Sequence, residues 1–416
     1  MSAAPGHATS TDQSIRDHSL PIARSALVRR LLEQPAFASW RTGLERVAGA
    51  LTDLLHVEYH RQAERLKDLY APLDPNAVKP GVPVTPAQAD AFSAELRKLL
   101  ERANYQTISA TELDLALKAE SVFQVKLHTR LTDFAELTLF ARGRGHRHEI
   151  VRYFFGLRSR LIDVEYFDHV ALFVRFQPDE HFAPKRRAKL PFKPGSTTLK
   201  LFENIPVADL EMLLPNSEVR MRTLDQLVLG VPALLGSVGI LAQLGAAALF
   251  VVGLALSLIG LGDKPRMVTQ GELVAFGAAL FTVGIFASRQ LARFRFKKLQ
   301  FLKTLTENLY YRNLDNNAGV IHHLVDSAEE EEAKEAILGY AFLLAHGPAT
   351  QVELDTRIEA WLKDLIGKPV DFEVADAVAK LERFALVTRA GDCFVAVPID
   401  QALSAISKRW GDVLGS

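Results

Sequence analysis

Leu227–Gly262, LVLGVPALLGSVGILAQLGAAALFVVGLALSLIGLG, runs for 36 residues without a charged side chain, and Gln243 is the most polar residue near its middle. A helix in a globular core keeps one face for water and rarely needs even half such a run. As one helix it would be roughly 54 Å long at 1.5 Å per residue, against about 30 Å of hydrocarbon. It is too long for one simple span. Either its first part, around Val231 to Leu241, lies on a surface, or it folds back near Gln243–Gly245.

A second apolar run, 267–288, follows the polar turn Asp263–Lys264–Pro265. Gly253, Ser257, Gly277 and Ala278 would let two helices approach closely. The expectation is a transmembrane helical hairpin, with two or three spans left open. Arg289, Arg293, Arg295, Lys297, Lys298 and Lys303 come after it, which places that side in the cytoplasm. The alternative is an unusually apolar hairpin inside a globular core.

Working outward, the chain divides into a disordered N-terminus (1–18), an α+β domain (19–215), the membrane hairpin with its basic flank (216–305) and a C-terminal domain (306–416). Leu27, Leu31, Leu44, Val47, Leu51 and Leu54 recur at helical spacing. Thr85–Pro86 reads as a helix start, and Ser109 with Glu112 as a capping box. Alternation at 123–127, 136–141, 170–176 and 199–202 marks strands of an antiparallel sheet. After Lys334, three helices, a hairpin around Ala390–Gly391–Asp392 and a last helix follow the order of a winged-helix-like domain. From Ala333 onward there are 9 Lys and Arg against 12 Asp and Glu, the wrong sign for a phosphate-binding face. Protein contacts, not nucleic acid, are the expected use.

The whole chain is neutral, with 49 basic and 49 acidic residues, and its one cysteine, Cys393, permits no internal disulfide. No catalytic set emerges and no cofactor is called for. His56 and His60 stand one turn apart without the zinc-protease glutamate between them in the right place. Arg142–His148 (RGRGHRH) lacks the strand–GxGxxG–helix context and reads as a strand-ending loop. The weak metal candidates are His322, Asp326 and Glu330, which share a helix face at i, i+4 and i+8. Lys185, Arg186, Arg187 and Lys189 form a basic loop suited to anionic lipid head groups. The acidic run Glu329–Glu335 is expected to pair with the basic helix Arg293–Lys303.

Two peptides carry a resemblance. Leu199–Pro206 (LKLFENIP) continues through Asp209–Leu210–Glu211–Met212–Leu213–Leu214–Pro215, and Leu309–Tyr310–Tyr311 is followed by Leu314–Val320 (LDNNAGV) and an acidic helix. Together they resemble the uncharacterised membrane-protein family that includes animal transmembrane protein 143. The resemblance implies a membrane location, mitochondrial or bacterial inner membrane, and no activity or catalytic residue. The expected function is a membrane-anchored, non-enzymatic scaffold or regulator at the cytoplasmic face, with a protein partner or self-association. A lipid-handling protein or metal-dependent enzyme is the alternative.

Overall fold

A computed structural model describes residues 18–76, 85–118, 126–153, 158–188, 190–220 and 270–415. The disordered terminus expected over 1–18, the apolar run 227–262, most of the strand expected at 123–127, and Lys189 lie outside them, His18 excepted. The described residues build a mixed helix-and-sheet protein in two compact units: 1–117, 131–210 and 312–416 in the first, 118–130 and 211–311 in the second.

The first unit opens with α1 (Arg24–Glu33) and α2 (Arg41–Tyr70). Then comes α3 (Pro86–Arg102), whose Thr85/Gln88 capping box and first-position proline satisfy its leading amides. It ends in a Schellman motif: Asn104 N donates to Glu101 O, Tyr105 N donates to Leu100 O, and Asn104 sits at φ 60°. β1 (Gln106–Thr107) and α4 (Ala110–Lys118), the latter with the expected Ser109/Glu112 box, follow. The sheet order is β1-β3-β4-β5-β7, all antiparallel, from β3 (Phe134–Tyr153), β4 (Arg158–Phe176), β5 (Thr197–Pro206) and β7 (Asn313–Asn316). Between β4 and β5 lies the short α5 (Pro184–Arg187).

Arg142–His148 lies within β3, not in a loop. The reason is cross-strand: Arg144 meets Glu165 at 2.6 Å, and His146 and His148 meet Asp163 at 3.2 and 3.5 Å. Gly143, at φ 72°, has no side chain because an added Cβ would collide with the Asp168 carboxylate.

The second unit contains β2 (Lys126–His128) paired with β6 (Glu218–Arg220), and α6 (Gln270–Arg312), which enters the first unit only at its last residue. Among the described residues no helix is long and apolar enough to cross a membrane. The described apolar part of α6, Leu273–Ser288, spans roughly 24 Å between Glu272 and Arg289, short of about 30 Å of hydrocarbon. Beyond it the helix continues unbroken through Arg293, Arg295, Lys297, Lys298 and Lys303. The expected transmembrane hairpin is therefore corrected, together with the integral-membrane location drawn from it.

Back in the first unit, α7 (Ala318–His346) passes through the middle of the core. Then come β8 (Ala349–Thr350), α8 (Gln351–Ile366), α9 (Val374–Arg383), the hairpin β9 (Val387–Ala390) and β10 (Cys393–Ala396), and α10 (Ile399–Gly415). The small sheet is ordered β8-β10-β9. One continuous apolar core joins Leu51 and Leu55 of α2, Phe92 and Leu96 of α3, Leu324 and Leu338 of α7, and Leu354 and Leu381 of the C-terminal helices. Segments that the sequence separates by more than two hundred residues thus share one interior.

Candidate functional site

The middle of α7 is buried except at half-buried Glu330, and its sequence there is Glu329–Glu330–Glu331–Glu332–Ala333–Lys334–Glu335. Charges taken from water need partners. Each carboxylate finds one on a different element. Glu329 accepts from His56 of α2 at 2.9 Å and lies 3.6 Å from Arg24. Glu332 takes both arms of Arg102 at 2.6 and 3.1 Å, while Arg102 also donates to Gln62 and lies over the Tyr59 ring. Glu335 receives Lys380 of α9 and, at 2.9 Å, Asn104. Lys334 spends its three protons on Glu331 (2.8 Å), Leu20 O (2.8 Å) and Ile22 O (3.2 Å).

The titration behaviour follows this geometry. Burial pushes Glu335 up to about 7, against the pull of Lys380. Burial opposes the charge on Glu332 too, but the Arg102 hydrogen bond and the charges of Lys380 and Arg102 outweigh it and hold the group below the usual range. Lys380 is raised, because Glu335 and Glu332 overcome its desolvation. Burial, reinforced by Glu332, also raises the Tyr59 phenol.

Beside this cluster opens a cleft of about 450 Å³. Asp326, Glu330, Glu331 and Lys334 of α7 line one side, Asp168, His169, Glu203 and Asn204 of the sheet another, with Arg142 and the segment Ser19–Ala23 completing it. Asn204 holds φ 53° at the end of the sheet. Arg142 lies 3.8 Å from Glu331 and stacks over Tyr105. His169 is held neutral: burial first, then the Arg142 charge, lower it to about 4.

Of the metal candidates, Asp326 and Glu330 line the cleft, whereas His322 is exposed outside it and Glu330 already accepts from Arg24 N at 3.0 Å. Among the described residues no three His, Cys, Asp or Glu side chains come together to hold a metal ion. In the basic loop, Arg186 donates to both oxygens of buried Asp133 at 2.6 Å and Arg187 pairs with Asp179, leaving Lys185 exposed. His60 was paired with His56 by spacing alone; His56 instead serves Glu329.

The acidic run takes its described partners from α1, α2, α3, β3 and α9, and the expected pairing with Arg293–Lys303 falls on side chains, Arg293, Lys297 and Lys298 among them, that lie outside the described ones. Sequence reading missed Asn104, Arg102, Arg142, His169 and Lys380. One signal was available: Ala328, Ala333 and Ala336 intersperse the charges with small residues, which fits close packing against neighbours. No local motif announces His169 or Arg142.

No solved structure matches the chain. Residues 167–319, which include Asp168, His169, Glu203 and Asn204 of the cleft, match a family described only as a protein of unknown function, DUF3754, so that the chain carries this domain of unknown function over that span.

Proposed function

We propose that this chain is a non-enzymatic scaffold or regulator that works through protein contacts. The observation behind it is the employment of the charges in the middle of α7: Glu329, Glu331, Glu332, Lys334 and Glu335 are engaged with neighbouring elements and backbone, which is the use of charge expected of an interaction framework. Catalytic groups need an unsatisfied atom within reach of substrate. We further propose kinship with the family of animal transmembrane protein 143, supported by the two signature peptides, which fall almost wholly within the matched span 167–319.

One observation favours a second reading, a ligand-handling or metal-dependent role: neutral His169 beside Asp168 in a cleft of about 450 Å³. Native mass spectrometry of the purified full-length chain, with metal and phosphorus analysis of the same sample, separates the two. A defined oligomer or protein complex free of stoichiometric metal and phospholipid supports the scaffold. A stoichiometric metal or lipid lost in His169→Gln or Asp326→Asn overturns it in favour of the second reading.

A further inference from the structure

The segment preceding α1 is bound chiefly through its backbone. Asn104 Nδ2 donates to His18 O at 3.1 Å, Leu20 N donates to Glu331 at 3.1 Å, Lys334 donates to Leu20 O and Ile22 O, and Arg24 N donates to Glu330 at 3.0 Å. Ser19 and Leu20 are buried and Ile22 packs against the core, while Pro21 and Ala23 are exposed, and the chain turns tightly at Pro21, where Ile22 N donates to Leu20 O at 2.7 Å. Main-chain hydrogen bonds for affinity together with a buried apolar anchor are how proteins capture peptide segments. The segment is also not sealed in. Ser19–Ala23 border the cleft of about 450 Å³, and His18 borders another of about 470 Å³ walled by Arg102, Tyr105, Glu373 and Asp376.

We infer that residues 18–24 are an intramolecular peptide ligand, and that Asn104, Glu330, Glu331 and Lys334 form a peptide-binding groove which accepts the same kind of segment from another chain. The partner is a peptide with an apolar residue in the Leu20 place, a free N–H at that position and a tight turn directly after it. Lys334 and Glu331 are fixed to each other at 2.8 Å, so the groove's donor and acceptor remain in register when the segment leaves. A tethered segment has an effective concentration in the millimolar range, so an outside peptide gains entry only when the tethered one is weakened or when it binds more tightly. The inference rests on the interaction reading but fails separately: a chain that recruits partners through another face would pass the native-mass test and still bind no such peptide.

The test uses the full chain and a fluorescein-labelled, acetylated peptide of residues 18–25, HSLPIARS, followed by anisotropy. Leu20→Pro removes the N–H that Glu331 accepts, and Leu20→Ala removes only the apolar anchor. The peptide should bind Leu20→Pro at least about tenfold more tightly than the wild-type chain, with Leu20→Ala between them. Binding should vanish in Leu20→Pro combined with Lys334→Met. Where circular dichroism shows the proline variant unfolded, Leu20→Ala and its Lys334→Met combination carry the comparison. No binding to a folded Leu20 variant, equal binding to wild type and variants, or binding that survives Lys334→Met would each overturn the inference.

Discussion

Replacing Lys380 by methionine probes the charged interior at its most enclosed pair. The ammonium is bonded to Glu335, lies 3.8 Å from Glu332, and is only 8% exposed. At an effective dielectric of 20, the Glu332 contact alone is an attraction of about 4 kcal/mol before desolvation is subtracted. Removing one partner of a buried pair leaves the other uncompensated, and such changes typically destabilise by about 3–5 kcal/mol. That is a large share of the roughly 5–15 kcal/mol by which a domain is stable. Glu335 then has Asn104 as its remaining polar partner among those described above, and Glu332 keeps Arg102. The expected result in urea denaturation is a midpoint lowered by the corresponding amount at unchanged slope. Adding Glu335→Met should recover most of the loss, because an apolar pair of similar volume replaces a desolvated ionic one. A single variant that loses less than about 1 kcal/mol, or a double variant no more stable than the single, would refute the reasoning.

Three further outcomes follow from the same structure. Ala385 occupies the left-handed position of the Schellman turn ending α9, at φ 56°, so Ala385→Gly should raise stability by about 0.5–1 kcal/mol, read as a higher thermal midpoint. Asn104→Gly keeps the backbone of the corresponding turn after α3 but loses the bonds to His18 O and Glu335; a loss of about 2–3 kcal/mol is expected from chemical denaturation. His169 and Glu335 act on the pH dependence in opposite senses. His169, lowered from 6.5 to about 4, leaves the native chain short of a proton, so its contribution is lost as pH falls through that interval. Glu335, raised from 4.5 to about 7, gives the native chain an extra proton, so its contribution is full below 4.5 and is lost as pH rises through about 7. Between pH 4.5 and 6.5 these slopes offset, and stability measured across it should be nearly flat. His169→Gln should leave stability falling with rising pH and Glu335→Gln should leave it rising, each by up to about 1.4 kcal/mol per pH unit. Slopes of the same sign in both variants would contradict the assignment.

What the sequence discloses is local, and the site is not. Thr85 and Ser109 name the helix starts that the structure contains, because a capping box is complete within four residues. The alternation at 136–141, 170–176 and 199–202 marks strands that the structure contains, although Val170–Val174 of β4 is buried on both faces. Arg142–His148 was misread because its glycines and charges resemble a loop until Asp163 and Glu165 are placed opposite. The partners of the acidic run are hidden for a similar reason: Arg24, His56, Arg102 and Lys380 stand on four other helices. The apolar run 227–262 lies outside the described residues, and the second run, 267–288, misled by its composition. A charge-free stretch argues for a membrane when a single long apolar helix is assumed, and α6 shows the described part of that region to be a helix whose apolar stretch is short and soon becomes basic.

Glu329–Glu335 of α7 bolts the N-terminal helices, the sheet and the C-terminal helices into one cooperative body. Hydrogen exchange of the full chain across a urea gradient, read by mass spectrometry, tests it directly. The account predicts that peptides from α2, α3, α7 and α9 lose protection together, at one denaturant concentration, and that Lys380→Met lowers that concentration for all four. Protection lost first and alone in α9, with α2 and α3 unaffected by Lys380→Met, would contradict it.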